Sequence, residues 1–357
     1  MKNRPTNRIC LLPRVSGVGG MVTFYHKLSL GLAARGYTIC NDLAEEPYAA
    51  ILVIGGTRQL AGLWRASRRG VPVVQRLDGI NWLHRVRSPG SSKSTGIRHY
   101  LRAEYGNCLL AFIRSKLASR VVYQSQFVRQ WWERVYGATA APNRVIYNGV
   151  DLQVYTPHAP ESPPADRYRL LMVEGSLMGG YETGLEMGVN LARELSARLG
   201  QEQSGLEARK VELMVVGQVN ERLRSRFESV GDVHIHWSGA VPGEQIPGLA
   251  RSAHLLYSAD INPACPNSVI EALACGLPVL AFATGALPEI VTGEAGRIIP
   301  YRGDPWRLDP PDISALVDGA LDILLRQAVF RNEARLQAEQ VFGLDRMVEG
   351  YLEALLE

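Results

Sequence analysis

Residues 265–279 read CPNSVIEALACGLPV. Pro266 precedes Asn267 and Ser268, two residue types that suit a helix N-cap. An apolar run with one carboxylate, Glu271, follows. Gly276 and Pro278 then stop the helix before a new apolar stretch starts at Val279. The pattern is a short helix whose first turn faces something. Two readings of Glu271 stand. Ser268 and Glu271 have capping-box spacing, so the carboxylate can return to the Ser268 amide. Alternatively, the first-turn amides hold a diphosphate and Glu271, one turn in, accepts the hydroxyls of a ribose.

The surroundings decide the fold class. AHLLYSA (253–259) precedes the helix and PVLAFA (278–283) follows it. Upstream, RYRLLMVEGS (167–176), KVELMVVGQ (210–218) and DVHIHWSGAV (232–241) alternate with helical stretches, the first running to about residue 199. The N-terminal half alternates in the same way, with strands expected at 8–13, 48–56, 71–79, 118–125 and 143–151 and a helix at 20–35. Short continuous apolar strands between helices imply parallel sheets covered on both faces. Residues 156–166, TPHAPESPPAD, hold four prolines and read as a linker. The expectation is α/β: two doubly wound Rossmann-like domains facing across a cleft. Their bounds are 1–156 and 168–343, with a hinge at 157–167. In such sheets ligands bind at the carboxyl ends of the strands.

At 357 residues, two domains are the default. Five scattered cysteines without CxxC spacing argue against a disulfide framework or a zinc site and for a reducing cytoplasm. The polar start MKNRPTNR does not read as a signal peptide, and no stretch approaches the roughly 18 apolar residues that span a bilayer. The net charge of +4 hides an asymmetry: residues 1–160 carry 22 Lys and Arg against 7 Asp and Glu, the remainder 17 against 28. A basic first half suits an anionic acceptor or an anionic membrane, and suggests a cytoplasmic protein at the membrane periphery. No nucleic-acid-binding motif accompanies the charge.

Further segments stand out. SGVGGMVTF (16–24) follows a strand and opens a helix, so its glycines let a sugar or phosphate approach; Val22 breaks the dinucleotide fingerprint. QRLDGINW (75–82) puts Arg76 and Asp78 two apart at a strand end, on one side of an extended chain. SQFVRQWWERVYG (125–137) sets Trp131 and Trp132 beside Arg129 and Arg134, which reads either as a membrane-surface face or as two buried tryptophans. RSPGSSKSTG (87–96) reads as a flap or an idle loop.

VIYNGVDLQVYTP, ELMVVGQV, SGAVPGEQIPGLARSAHLLYSA and PNSVIEALACGLPVLAFATGALPEIV occur in an order and spacing that resembles the family 4 glycosyltransferases. The likeness spans roughly residues 8–300 and is strongest over 239–291. It implies the GT-B fold and an enzyme that moves a sugar from a nucleotide-sugar, commonly a UDP-sugar, with retention and without a metal or other cofactor. It implies a saccharide or lipid-linked acceptor of the kind used in polysaccharide biosynthesis. It also implies a C-terminal helix, here 344–356, that packs back on the first domain. Glu271 resembles the second glutamate of the family's E-x7-E motif, which holds the donor ribose. Asn267, Ser268 and Val269 resemble the helix start that meets the donor phosphates, and Gly239, Ala240 and Val241 the strand end beside the base. Ser176 and Gly217 fall at further donor-side strand ends. Gly17, Gly19 and Gly20 resemble the loop near the diphosphate and acceptor.

Three positions depart from the family pattern. The first glutamate of E-x7-E would be Pro263, Ser176 stands where the family has an arginine, and Asp78 stands where many members have a histidine. EGSLMGGYE (174–182) contains no basic residue to neutralise a departing diphosphate, which leaves Arg76 as the candidate cation. The catalytic set expected is therefore Asp78, Arg76 and Glu271. Two rival readings follow: a degenerate member that binds a nucleotide-sugar or glycan without turnover, and, from another class, an oxidoreductase on paired α/β domains.

Overall fold

The computed structural model describes residues 7–17, 19–86, 96–177, 182–201, 205–227 and 233–357. The chain forms two units, Met1–Gly149 with Leu344–Glu357, and Val150–Gly343. Most of the expected flap, residues 87–95, lies outside the described residues, as do Val18 and residues 178–181.

The first unit holds a parallel sheet ordered β2-β1-β3-β4-β5-β6. Its strands are β1 Arg8–Leu12, β2 Thr38–Cys40, β3 Ala50–Ile54, β4 Val73–Leu77, β5 Arg120–Tyr123 and β6 Asn143–Val145. The helices are α1 Gly20–Ala34, α2 Leu60–Arg68, α3 Leu83–Val86, α4 Ile97–Phe112 and α5 Gln126–Tyr136. Every residue of β3 and β4 is buried, because helices cover both faces. The C-terminal helix Leu344–Leu356, α13 in chain order, completes one face. Its Met347, Val348, Tyr351 and Leu355 join Phe24, Leu28, Ile9 and Leu52 in one apolar cluster. Each such buried side chain contributes on the order of 1.5–3 kcal/mol. Gly31 lets α1 and α13 close: a Cβ there would lie 2.4 Å from Val348 Cγ2.

The second unit holds a parallel sheet ordered β12-β11-β10-β7-β8-β9. Its strands are β7 Arg167–Ser176, β8 Lys210–Gln218, β9 His234–Gly239, β10 Leu255–Ser258, β11 Val279–Phe282 and β12 Gly296–Ile299. The helices are α6 Glu182–Leu199, α7 Glu221–Phe227, α8 Ile246–Arg251, α9 Asn267–Ala274, α10 Leu287–Ile290, α11 Ser314–Leu325 and α12 Gln327–Val341. The chain winds outward from β7 to β9, then restarts at β10 on the other side of β7. The order reverses between β7 and β10, and such a switch point opens a crevice at the strands' carboxyl ends.

The proline-rich run 156–166 lies in the second unit. Arg251 donates to the Thr156 carbonyl at 3.1 Å and pairs with Glu161 at 2.9 Å. The division between units falls at Gly149/Val150 and Gly343/Leu344 rather than inside this run.

Candidate functional site

Helix α9 starts one residue earlier than its polar residues suggest. Pro266 occupies the N-cap with extended geometry, and no side-chain cap forms. The expectation that Asn267 or Ser268 caps is therefore corrected. Both lie in the first turn with Val269, ahead of the first backbone bond, Ile270 N to Pro266 O at 3.3 Å. The shift places Glu271 deeper than a capping box requires. Glu271 is buried and faces Tyr155, whose phenol burial and the Glu271 charge raise well above the usual tyrosine range, with a hydrogen bond between the two side chains. At the other end Gly276 N bonds Leu273 O and Leu277 N bonds Ala272 O, both at 2.9 Å, with Gly276 at φ 65°. That is the Schellman closure the sequence implies. Arg335 donates to the Ala274 and Tyr155 carbonyls at 2.7 Å each, so one cation serves the helix C-terminus and holds the segment carrying Tyr155.

Ser176 ends β7, Gly217 lies at the end of β8, and Gly239 ends β9, followed by Ala240 and Val241. The second sheet therefore brings Ser176, Gly217, Gly239, Ala240, Val241 and the first turn of α9 to its carboxyl edge. Gly217 is obligatory: at φ 142° its Cβ would sit 2.1 Å from the Glu174 carbonyl oxygen.

Two carboxylates absent from the sequence-based expectation stand at the switch point. Glu174 belongs to β7, and Asp260 follows β10. Burial, then the charge of Asp260, pushes Glu174 well above the ordinary carboxylate range, and burial raises Asp260 as well. Ser258 and Asn262, which flank Asp260 in the chain, are both more than nine-tenths buried. Among the described residues, Ser258 Oγ and Asn262 Nδ2 have no hydrogen-bond partner. The segment after β10 is fixed in place: Asn262 N donates to Thr284 Oγ1 at 3.2 Å and Ala286 N to Pro263 O at 2.9 Å. Gly285 packs so closely that a Cβ would lie 2.4 Å from Pro263 N. The signal in the sequence is an acid at the end of each of two apolar runs, RLLMVEGS and AHLLYSAD.

In the first unit the sheet order reverses between β1 and β3, and the glycine loop leaves β1 there. Gly17 at φ 100° and Gly19 at φ 138° take backbone conformations that favour glycine, and Gly19 caps α1 without any side chain. Gly20 is the first helical residue. At the end of β4, Arg76 is 1% exposed. Its guanidinium carbon lies 3.7 Å from the Phe24 ring centroid, Nη2 donates to Asn148 Oδ1 at 3.1 Å, and Nη1 lies 3.7 Å from Asp78 Oδ2. Arg76 Nε and Nη1 have no hydrogen-bond partner among the described residues. A buried guanidinium with unused donors is costly unless something anionic or polar completes it.

Trp131 and Trp132 are buried, which excludes the membrane-surface reading of α5. Trp132 Nε1 donates to the Asp78 carbonyl at 2.7 Å, and Gly79 leaves room for the Trp131 ring, 2.8 Å from where a Cβ would be. The tryptophans thus fix the strand exit that presents Asp78. Glu212, His234 and His236 hold ligand-type atoms within 4.8 Å of one another. Glu212 is already committed to Arg169 at 3.0 Å, and the group lies towards the amino ends of β8 and β9, away from the edge described above.

Two family descriptions match the chain, "Glycosyl transferases group 1" over residues 183–324 and "Glycosyltransferase Family 4" over residues 56–154. A D-inositol 3-phosphate glycosyltransferase of Corynebacterium jeikeium is 26% identical over 177 residues, 48% of this chain and 42% of that protein. A 2-deoxystreptamine N-acetyl-D-glucosaminyltransferase of Streptomyces fradiae is 27% identical over 89 residues, 25% of this chain and 21% of that protein. The chain thus spans less than half the length of these curated relatives. Among solved structures, WaaG, a glycosyltransferase involved in lipopolysaccharide biosynthesis, superposes with a TM-score of 0.70 at 15% identity, over 98% of this chain and 99% of that one. The sucrose-phosphate synthase of Thermosynechococcus elongatus gives 0.67 at 16% identity over 97% of each chain. Anabaena HepE in complex with UDP gives 0.65 at 16% identity, over 98% and 99%. With one family description on each half and the GT-B fold throughout, the chain belongs to the group 1, family 4 glycosyltransferases.

Proposed function

We propose that the protein transfers a sugar from a nucleotide-sugar to a hydroxyl of a saccharide or lipid-linked saccharide, with retention at the anomeric carbon and without a bound metal. The observation that carries this reading is the first turn of α9. It offers three amides with no side-chain cap, and Glu271 one turn in, oriented by Tyr155. Amides at a helix N-terminus suit a diphosphate, and a held carboxylate suits the two hydroxyls of a ribose. Gly239, Ala240 and Val241 flank the base. A UDP-sugar is the donor favoured, in line with the UDP bound by the HepE relative.

In the reaction the acceptor hydroxyl oxygen bonds the anomeric carbon as the bond to the diphosphate breaks, and the hydroxyl proton passes to the departing phosphate oxygen. Negative charge grows on the departing phosphate. The α9 amides supply the stabilising positive charge that a metal brings elsewhere, and Arg76 is the candidate cation of the first unit. Asp78 accepts a hydrogen bond from the acceptor or sugar hydroxyl, while Gly17, Gly19 and Gly20 leave backbone open to the reacting groups. Glu174 and Asp260 hold hydroxyls of the transferred sugar, in place of the carboxylate that Pro263 lacks.

Pro263 and Ser176 keep the second reading alive, a protein that holds the donor without turnover. Calorimetry with UDP and UDP-glucose, combined with acceptor-dependent donor consumption, separates the readings. Binding with consumption supports transfer, and the anomeric configuration of the product tests retention. Saturable binding without consumption across an acceptor panel favours the binder. Absence of nucleotide binding sinks both.

A further inference from the structure

Helix α4, Ile97–Phe112, carries an apolar stripe on its outward side. Its inward side is fastened by polar groups. Asn107, fully buried, accepts from Asn81 N at 3.0 Å and donates to Asn81 O at 2.9 Å. Glu104 takes His84 Nε2 at 2.8 Å and Arg85 Nη2 at 2.8 Å. Leu109 packs inward against the cluster of Ile113 and Leu117, but other apolar side chains look outward: Ile97 is 76% exposed, Leu101 59%, Tyr105 55% and Phe112 47%, with Cys108 exposed among them. At 100° per residue these five positions fall within an arc of about 80°, and at 1.5 Å per residue the stripe is about 22 Å long. Such an unbroken outward stripe is not the scatter of single apolar residues that ordinary surfaces carry.

The charge beside it says what covers it. Arg98 and Arg102 are exposed along one flank of the stripe. Helix α2 lies in the same layer, since its Leu63 and Ala66 share a cluster with Ile113 and Leu117, the turn that continues α4. From α2, Trp64 stands 55% exposed, and Arg68 sits 5.7 Å from its ring. Arg65 and Arg69 are exposed next to it. Apolar side chains, amphipathic aromatics and arginines on one layer are the composition of a segment that lies in the headgroup region of an anionic bilayer. No described helix is long and apolar enough to cross one.

We propose that the outer face of α4, with Trp64 of α2, docks this protein onto an anionic lipid surface, the helix lying in the plane of the interface. The docking face is independent of the sugar-transfer chemistry and is not the tryptophan helix α5.

The test is flotation of the full chain with vesicles of phosphatidylcholine alone and of phosphatidylcholine with phosphatidylglycerol, at low and high salt. Binding is expected only to the anionic vesicles, weakening as salt rises. A Leu101→Gln, Phe112→Gln double variant and an Arg98→Glu, Arg102→Glu double variant should each lose binding by more than 10-fold, with unchanged circular dichroism. A second measurement needs no substitution. Cys108 is the one exposed cysteine among the described residues, so anionic vesicles should slow its reaction with a water-soluble maleimide several-fold. Failure of the wild-type chain to bind anionic vesicles at low salt, or full maleimide reactivity on vesicles that it does bind, would overturn the proposal. So would a self-association, seen by light scattering, that Leu101→Gln abolishes while vesicle binding is absent.

Discussion

Arg76 and Asp78 leave β4 two residues apart, and Arg76 Nη1 lies 3.7 Å from Asp78 Oδ2. The guanidinium cannot swing away, because the Phe24 ring is 3.7 Å from its carbon and Asn148 takes Nη2. Among the described residues, the buried Arg76 Nε and Nη1 have no hydrogen-bond partner. Arg76→Ala is expected to lower transfer by about 100-fold or more, the scale of losing one pre-placed charge donor. UDP binding should persist, since α9 supplies the phosphate amides. The variant should also melt at a lower temperature, because the Arg76 contacts to Asp78 and Asn148 are lost. Normal transfer by a folded Arg76→Ala protein would remove Arg76 from the proposed chemistry.

Glu271 and Tyr155 form a second linked pair. Tyr155→Phe leaves the carboxylate in place but unoriented, so UDP affinity should fall by roughly 3- to 10-fold, the worth of one hydrogen bond. Glu271→Gln removes the charge and should cost about 10- to 100-fold by the same measure. Calorimetry with UDP reads both. Unchanged affinity in Glu271→Gln would end the ribose assignment.

Both sheets are legible in the amino-acid sequence, as short apolar runs between helices, and Gly276 closes α9 as its place after the apolar run implies. Strands β2 and β12 are harder to read because they are three and four residues long at sheet edges, where burial is partial and the apolar signal is weak. The cap of α9 misleads because cap propensity ranks Asn and Ser above Pro, while the extended geometry of Pro266 starts the helix one residue sooner. Tryptophans next to arginines on α5 give no sign of which way they point; packing turns them inward onto Asp78 and Gly79. The stripe on α4 hides for the opposite reason: apolar residues at helical spacing read as core by default, and only a polar anchor such as Asn107 reveals that they face out. Glu174 and Asp260 do not read as a pair because they are far apart in sequence and meet only where β7 and β10 adjoin.

Those two carboxylates connect stability with function. A carboxyl whose folded pKa is raised stabilises the fold below its ordinary pKa, and that contribution is lost as pH rises through the folded value. Both Glu174 and Asp260 are raised, so towards neutral pH the second unit loses stability relative to an unfolded chain in which both are freely ionised. Glu174→Gln should therefore raise the melting temperature at pH 7–8 while leaving it little changed near pH 4. If the pair holds the sugar, the same variant should bind UDP normally yet turn over UDP-glucose more than 10-fold slower. A stabilised variant with full activity would assign the pair a structural role only.

His254 gives the opposite pH trend in the same unit. Burial, followed by the charges of Arg331, Arg209 and Arg169, lowers it from the usual 6.5 to about 4. Its Nδ1 accepts from Arg169 N at 3.0 Å, a bond that needs the neutral ring on that side. The unfolded chain binds the proton near pH 6.5 and the folded one only near pH 4. Stability is therefore complete above pH 6.5 and declines as pH falls towards 4, by up to about 3 kcal/mol across the window. His254→Asn keeps an acceptor near the Nδ1 position but does not titrate. Urea unfolding at pH 7.5 and pH 5 should show the wild type losing stability on acidification, and the variant losing about 2 kcal/mol less between the same two points. Equal pH slopes for the two proteins would mean that His254 is already charged in the fold or that the ring opens to water.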